Sequence, residues 1–494
     1  MASPLNRALL LLVFPALLAA SAVALAAADE ADGLNHARPA RGASRAPESA
    51  EPERCCDKPC CARCGGSKSE PEPSAPADPE RPSGCPRSAG ETAGETAGEK
   101  TNEAATELNR PKSGSALPVP ERAARKVGQS GTNRKSSSKE LLSGFDPLDH
   151  ERVNGNLVHH LEQHGTAVLS LDPGLQEHVA KILARYRIPF GAVVALEPST
   201  GRVLAYVSHS SADPEAGDLA RDPSPPSASV FKVITTAALL DAGVGPNRRV
   251  CYGGGRRKLV EADLIDDPDR DRHCLTLQDA LGYSANAVFA KLADRHLDRP
   301  TLERYASAFG FGHSLPFDAR TPASPMEVPE ERVEFARTAA GFWHMYMSPL
   351  HGALIAATIA NRGVMPRASM IDRVVDGSGR QLSVRQPTAF RPVIPSSTAR
   401  VLGKMMTRTV THGTSRRAFF DQQGRAFLPG VKVAGKTGSL TQPRPFRDYS
   451  WWIGFAPLEK PTIALAALVV NSPRWRIKAS YLARETLRHY LVVN

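Results

Sequence analysis

The sequence predicts an α+β domain over residues 151–494, with an antiparallel sheet flanked by helices and a helical subdomain. Three observations carry this. Two strand-like runs come first, helical periodicity fills the middle, and three strand-like runs and a helix close the chain. The strands at both ends are apolar and bounded by turns, so one antiparallel sheet is expected to combine them. A composition of 41% apolar and 23% charged residues is that of a globular protein, and it excludes a collagen, a coiled coil or a polytopic membrane protein.

Leu175–Tyr186 (LQEHVAKILARY) carries apolar residues at helical spacing. Phe190–Leu196 and Arg202–Ser208 read as strands, and the short EPSTG turn between them makes an antiparallel hairpin. Ser229–Gly243 reads as one mostly apolar helix stopped by glycine. Helical patterns follow at 287–293, 348–361 and 396–408. The runs VKVAGKTGS, YSWWIGFAP and TIALAALVV are the late strands, and Ile477–Leu491 is the closing amphipathic helix.

The first 150 residues read differently. Arg7 precedes an uncharged run from Ala8 to Ala28, with small residues at Ala22, Ala24, Ala26 and Ala28 before Asp29 and Glu30. Residues 1–28 therefore read as a signal peptide or, if uncut, as a membrane anchor through residues 8–28. Export to the periplasm or cell envelope is expected, with inner-membrane attachment if the segment is retained. Residues 29–150 are low in complexity, as in AGETAGETAGEK, and read as a disordered linker unable to offset its conformational entropy by burial.

Six of the eight cysteines, Cys55, Cys56, Cys60, Cys61, Cys64 and Cys85, lie in that linker. Cys61 and Cys64 have metal-ligand spacing, but no second paired cluster follows, so disulfides are expected and no metal site is. Cys251 and Cys274 bracket a polar stretch within the domain and are the candidate disulfide. The run Asp266, Asp267, Asp269 and Asp271 inside it lacks the glycine and glutamate of an EF-hand and reads as a solvated loop.

The formal charge is +11. Residues 1–150 hold 19 Lys and Arg against 20 Asp and Glu, so the basic excess sits in the domain. It suits an anionic polymer, or simply a solvated Arg-rich surface. No zinc-finger, basic-zipper or aromatic RNA-binding pattern accompanies it, which argues against nucleic acid.

Three short motifs carry chemistry. Ser229-Val-Phe-Lys232 places an amine and a hydroxyl three residues apart on one helix face, where the amine can take the serine proton. A second S-x-x-K, Ser136 to Lys139, falls in the linker and is noise. Ser284-Ala-Asn286 offers a hydroxyl for proton relay and an amide for a peptide carbonyl, or alternatively a pair of helix caps. Lys436-Thr437-Gly438-Ser439 lies in a strand pattern. Its glycine marks close approach by a ligand or another backbone, and its lysine and hydroxyls suit a carboxylate.

In this order, on helix, loop and strand, the motifs match a known set. Residues 170–494 resemble the transpeptidase domain of penicillin-binding proteins, also in LDPGLQ, GAVVALEPSTGRVLAYVS, the helical run 337–363, THGTS and WWIGFAP. The resemblance implies the penicillin-binding protein and β-lactamase-like fold, without cofactor. It also implies a serine D,D-transpeptidase acting on peptidoglycan stem peptides and acylated by β-lactams.

The resemblance assigns Ser229 as nucleophile, Lys232 as base, Ser284 as proton relay and Lys436 as electrostatic partner. Asn286 would hold the stem-peptide amide. Thr437, Gly438 and Ser439 would bind the substrate, and the backbone N–H groups of Ser229 and Ser439 would form the oxyanion hole. Ala285 and Ser439 depart from the family's commoner residues. The linker holds no glycosyltransferase, so a monofunctional member is expected, without a folded N-terminal pedestal; its cell-wall partners are not visible.

The alternatives are a D,D-carboxypeptidase, a β-lactamase, or a non-turnover scaffold or sensor. The glutamate-to-asparagine spacing of class A β-lactamases is missing at Glu327 and Glu330. Of Trp451 and Trp452, one is expected in the core and one on the cleft wall. His344, His351 and His412 have no metal-like spacing. Arg444 and Arg447 are candidates for contact with an acidic stem peptide.

Overall fold

The computed structural model describes residues 141–493 apart from 163–164, 256–257 and 475. The expected signal or anchor segment, the linker up to residue 140 with its six cysteines, and Ser136–Lys139 lie outside the described residues. Folded structure begins before residue 151. Leu141 and Leu142 pack against the main core, and Phe145 is buried in it.

The chain opens with three strands, β1 (Glu151–Val153), β2 (Asn156–Leu161) and β3 (Gly165–Leu169). Helix α1 (Pro173–Arg185) follows, then the hairpin β4 (Phe190–Leu196) and β5 (Val203–Ser210). Asp172 caps α1 by accepting the Leu175 N–H at 2.9 Å, and Pro173 fits the first helical turn. The middle comprises α2 (Lys232–Asp241), β6 (Arg249–Tyr252), β7 (His273–Thr276), α3 (Leu277–Tyr283) and α4 (Asn286–His296). Next come α5 (Arg299–Phe309), α6 (Arg332–Ala339), α7 (Pro349–Ala360), β8 (Val364–Pro366), β9 (Ile371–Val375), β10 (Gln381–Val384) and β11 (Ala389–Pro392). The last part is α8 (Ser396–Thr411), α9 (Arg416–Phe419), β12 (Ala434–Pro443), β13 (Phe446–Ala456), β14 (Ile463–Asn471) and α10 (Ala479–Arg488).

The main sheet has the order β12-β13-β14-β4-β5, all antiparallel, so strands from both ends of the domain do share one sheet. Alternation along the strands separates two cores. Ala192, Val194, Trp451 and Ile453 pack with α7 residues such as Leu354, while Val193, Trp452 and Leu465 pack with Leu175 of α1 and Leu482 of α10. Each such large aliphatic side chain taken fully out of water contributes about 1.5–3 kcal/mol, which holds the helices on both faces.

A second sheet, β1-β2-β3-β9-β10, was not expected. Its strands are short, and β3 finds its partner β9 only on the far side of the helical region. The Asn154-Gly155 turn, with φ of 50° and 83°, was the local signal for its first hairpin. No helix among the described residues is long and apolar enough to cross a membrane.

Candidate active site

The Ser229 segment departs from the single expected helix. Ala228–Val230 forms a 3₁₀ turn and α2 begins at Lys232. Ala228 has φ of 49°, unusual for a residue with a Cβ. Gly341, at φ of 75°, packs beneath it: a Cβ there would meet the Ala228 carbonyl and lie 3.0 Å from Ser229 Cα. Tertiary contact thus overrides helical propensity and lifts Ser229 into the cleft, with Lys232 beneath it.

The second motif is the joint between α3 and α4. Ser284 ends α3 in the left-handed region at φ of 59°, and Ala285 is extended before Asn286 opens α4. The helix-cap alternative covers their backbone positions, while both side chains turn to the motif lysines. Gly413 packs directly on the Gly282 carbonyl and brings Thr414 alongside, its N–H donating to Gly282 O at 3.1 Å.

The third motif lies on β12, the edge strand nearest Ser229. A Cβ on Gly438 would sit 3.1 Å from Trp451 Cβ and 3.2 Å from Ser227 O, so glycine is what lets the edge strand seat against the Ala228–Val230 turn.

The three motifs converge. Lys232 Nζ lies 3.0 Å from Ser229 Oγ and 2.7 Å from Asn286 Oδ1, and it also bonds Ala340 O. Lys436 Nζ donates to Ser284 Oγ at 2.9 Å and to Thr437 O at 2.6 Å. Both lysines are fully buried. Burial, and then the charge of Lys436, holds the Lys232 amine well below its ordinary range; burial brings Lys436 down to about 7.

A neutral amine has two N–H donors and one lone pair. In Lys232 the donors match Asn286 Oδ1 and Ala340 O, which leaves the lone pair for the Ser229 hydroxyl proton. That is the arrangement a general base needs.

Ser229, Ser284, Asn286, Thr437 and Ser439 line one cleft of about 670 Å³; Lys232 and Lys436 do not line it but are buried behind it, bonded to Ser229, Asn286 and Ser284. Tyr252 and Leu275 wall one side, next to the bonded pair Cys251–Cys274, which lie directly opposite each other on β6 and β7. Thr414 and Lys478, both missed in the sequence, also line the cleft, and Thr414 Oγ1 is 2.6 Å from Thr437 Oγ1. THGTS was the available signal for Thr414. Lys478 had none, since β13 and β14 separate it from the third motif.

Several expectations are corrected. The acidic run is solvated only in part: Asp266 and Asp269 are exposed, whereas the Asp271 side chain is buried against Lys291 of α4, whose amine also lies 3.1 Å from Asp266 Oδ1, so this end of the run anchors the hairpin to the helix. Arg444 and Arg447 are carried to the far end of the β12–β13 hairpin, where Arg447 lies over the Phe190 ring, and neither lines the cleft.

The expectation for the two tryptophans holds. Trp451 walls the cleft and donates its indole N–H to Pro226 O at 2.8 Å, while Trp452 is in the core behind the sheet. His351 is buried between Ser324 and Phe309 O, and burial lowers it to about 4. Glu327 approaches His344, Glu330 pairs with Arg299 and Glu331 caps α6. Among the described residues, no Asp or Glu lines the cleft and no group of three or more His, Cys, Asp or Glu is placed to hold a metal.

Residues 191–488 match the profile of the penicillin binding protein transpeptidase domain, and the chain belongs to that family. Among curated relatives, it is 31% identical over 318 residues to the peptidoglycan D,D-transpeptidase PbpA of Mycolicibacterium smegmatis, covering 56% of this chain and 61% of the relative. It is equally similar over 320 residues to PbpA of Mycobacterium tuberculosis, covering 57% and 62%. The chain thus spans about three fifths of the length of these relatives. The crystal structure of PBPA from M. tuberculosis superposes with a TM-score of 0.55 at 25% identity, over 65% of this chain and 81% of that one. The imipenem acyl-enzyme complex of that protein gives 0.54 at 25% identity, over 65% and 79%.

Proposed function

We propose that the protein is a serine D,D-transpeptidase that cross-links peptidoglycan stem peptides through a Ser229 acyl-enzyme and is acylated by β-lactams at the same residue. The observation that carries this is the Lys232 amine, held by two carbonyl acceptors with its Nζ 3.0 Å from Ser229 Oγ. The relatives named D,D-transpeptidases and the acyl-enzyme complexes of the M. tuberculosis protein support it.

In this reading Ser229 Oγ attacks the carbonyl carbon of the D-Ala-D-Ala bond as its proton passes to Lys232. The N–H groups of Ser229 and Ser439 hold the oxyanion, a contribution of about 3–4 kcal/mol per donor in comparable enzymes. The C–N bond then breaks, and Ser284, bonded to Lys436, delivers the proton to the departing D-alanine nitrogen. Asn286 holds the stem-peptide amide, and Thr437 and Ser439 take the terminal carboxylate, with Gly438 giving them room. An acceptor amine attacks the acyl-enzyme and completes the cross-link; water in its place would make the enzyme a carboxypeptidase.

The absence of Asp and Glu among the described cleft-lining residues favours a long-lived acyl-enzyme over β-lactamase turnover. The substrate places the protein in the cell envelope, exported or anchored through residues 8–28. The full chain incubated with a fluorescent penicillin should give a stable one-to-one adduct that Ser229→Ala abolishes. Rapid release of hydrolysed drug would make it a β-lactamase, and no adduct would make it a scaffold.

A further inference from the structure

A second cleft, of about 780 Å³, shares none of the residues that line the active site. It lies between the 314–321 loop and the antiparallel pair β9–β10, and continues past β10 to Thr388. Leu315, Phe317, Ile371 and Val374 give it an apolar floor continuous with the main core. Leu141, Leu142 and Val384 extend that floor, and Val384 is 46% exposed.

Four arginines from four segments surround the floor: Arg320 in the loop, Arg367 before β9, Arg373 on β9 and Arg385 after β10. Asp318 is the one carboxylate among the described lining residues, and the wall itself uses it. It accepts the Met370 N–H at 2.7 Å and the Ser369 hydroxyl at 2.9 Å, and it lies in the field of Arg367. Arg385 donates to Thr200 O at 3.1 Å and lies 3.5 Å from Asp372, a carboxylate shared with Arg202. Among the described residues, the Arg320 and Arg373 side chains have no ion pair. The cleft therefore carries an excess of positive charge over an apolar base, and the bonds of Asp318 and Arg385 hold it open in advance of any ligand.

We propose that this cleft docks an extended acidic peptide of a partner protein, with apolar side chains on the floor and carboxylates against the arginines. Guanidinium groups grip carboxylates through paired N–H donors, and arginine clusters are a recurring means of reading acidic segments. Cations spread over four segments suit a chain bearing several carboxylates better than one small anion. A bilayer surface would meet exposed Arg320 and Arg367 but leave the concave apolar floor unfilled.

The test is fluorescence anisotropy on the full chain with a labelled octapeptide of alternating Glu and Val. It should bind, an octapeptide of alternating Lys and Val should not, and one of Glu and Ser should bind at least about fivefold more weakly. Arg320→Gln/Arg373→Gln should weaken the Glu–Val peptide at least about tenfold. Arg400→Gln/Arg444→Gln removes the same charge from exposed positions outside the cleft and should leave binding within about twofold. Val384→Asp should also weaken binding, and each variant should keep the wild-type unfolding midpoint.

Equal losses from the two arginine pairs would reduce the effect to net charge and overturn the assignment. So would failure of the Glu–Val peptide to bind. Phosphatidylglycerol vesicles bound through Arg320 and Arg373 in the peptide's place would make this face a membrane contact and overturn it as well.

Discussion

Replacing Lys436 by methionine should change how folding stability varies with pH. Its amine is fully buried, bonded to Ser284 and Thr437, and burial lowers it from 10.5 to about 7. In the unfolded chain the same amine keeps its ordinary value near 10.5. Below about pH 7 both states carry the proton, and the folded chain bears the whole penalty of a buried ammonium, about 5 kcal/mol. Between about 7 and 10.5 only the unfolded chain is protonated, so folding strengthens with pH by up to about 1.4 kcal/mol per unit. Methionine fills similar space and does not titrate. The stability of wild type minus that of Lys436→Met should therefore climb by about 2–3 kcal/mol from pH 7 to pH 9. Urea unfolding at pH 6, 7, 8 and 9, followed by the fluorescence of buried Trp451 and Trp452, measures this difference. Parallel stability profiles for the two proteins would refute a neutral buried amine at this position.

Four other outcomes are expected. Asn286→Ala removes one of the acceptors that orient Lys232, and acylation of a fluorescent penicillin should slow by roughly 10–100-fold with little change in the unfolding midpoint. Gly438→Ala should push β12 away from the Ser227 carbonyl and Trp451, destabilising the domain by about 1–3 kcal/mol and slowing acylation, both read on one preparation. Replacing Cys251 and Cys274 by serine should reduce stability by about 3 kcal/mol through the loop released in the unfolded chain. Because Tyr252 and Leu275 wall the cleft beside the cysteines, stopped-flow acylation should slow as well. Arg444→Ala/Arg447→Ala should acylate a stem-peptide mimic at the wild-type rate, since neither side chain lines the cleft.

The motifs were legible because each depends on local spacing. Three residues on a helical turn bring Lys232 to Ser229, and two residues across a helix joint aim Ser284 and Asn286 at different lysines. The late strands were legible from continuous apolar runs, as expected for strands buried on both faces. Features created by distant segments were not. The break between the 3₁₀ turn and α2 depends on Gly341, and the anchoring of the aspartate run depends on Lys291. Short β9 and β10 carry little pattern of their own; pairing with β3 makes them a sheet. Lys478 reaches the cleft only because two long strands double the chain back.

The adjacency of β14 and β4 orders events during biosynthesis. A growing polypeptide exposes Ser229 long before Lys436 exists, and the early hairpin lacks a neighbour until the last strand is made. Assembly must await translation through β14, and such distant pairings form slowly. The nascent serine accordingly stays inert, and shortened products ending ahead of residue 434 would leave an open β-edge for quality-control proteases to recognise.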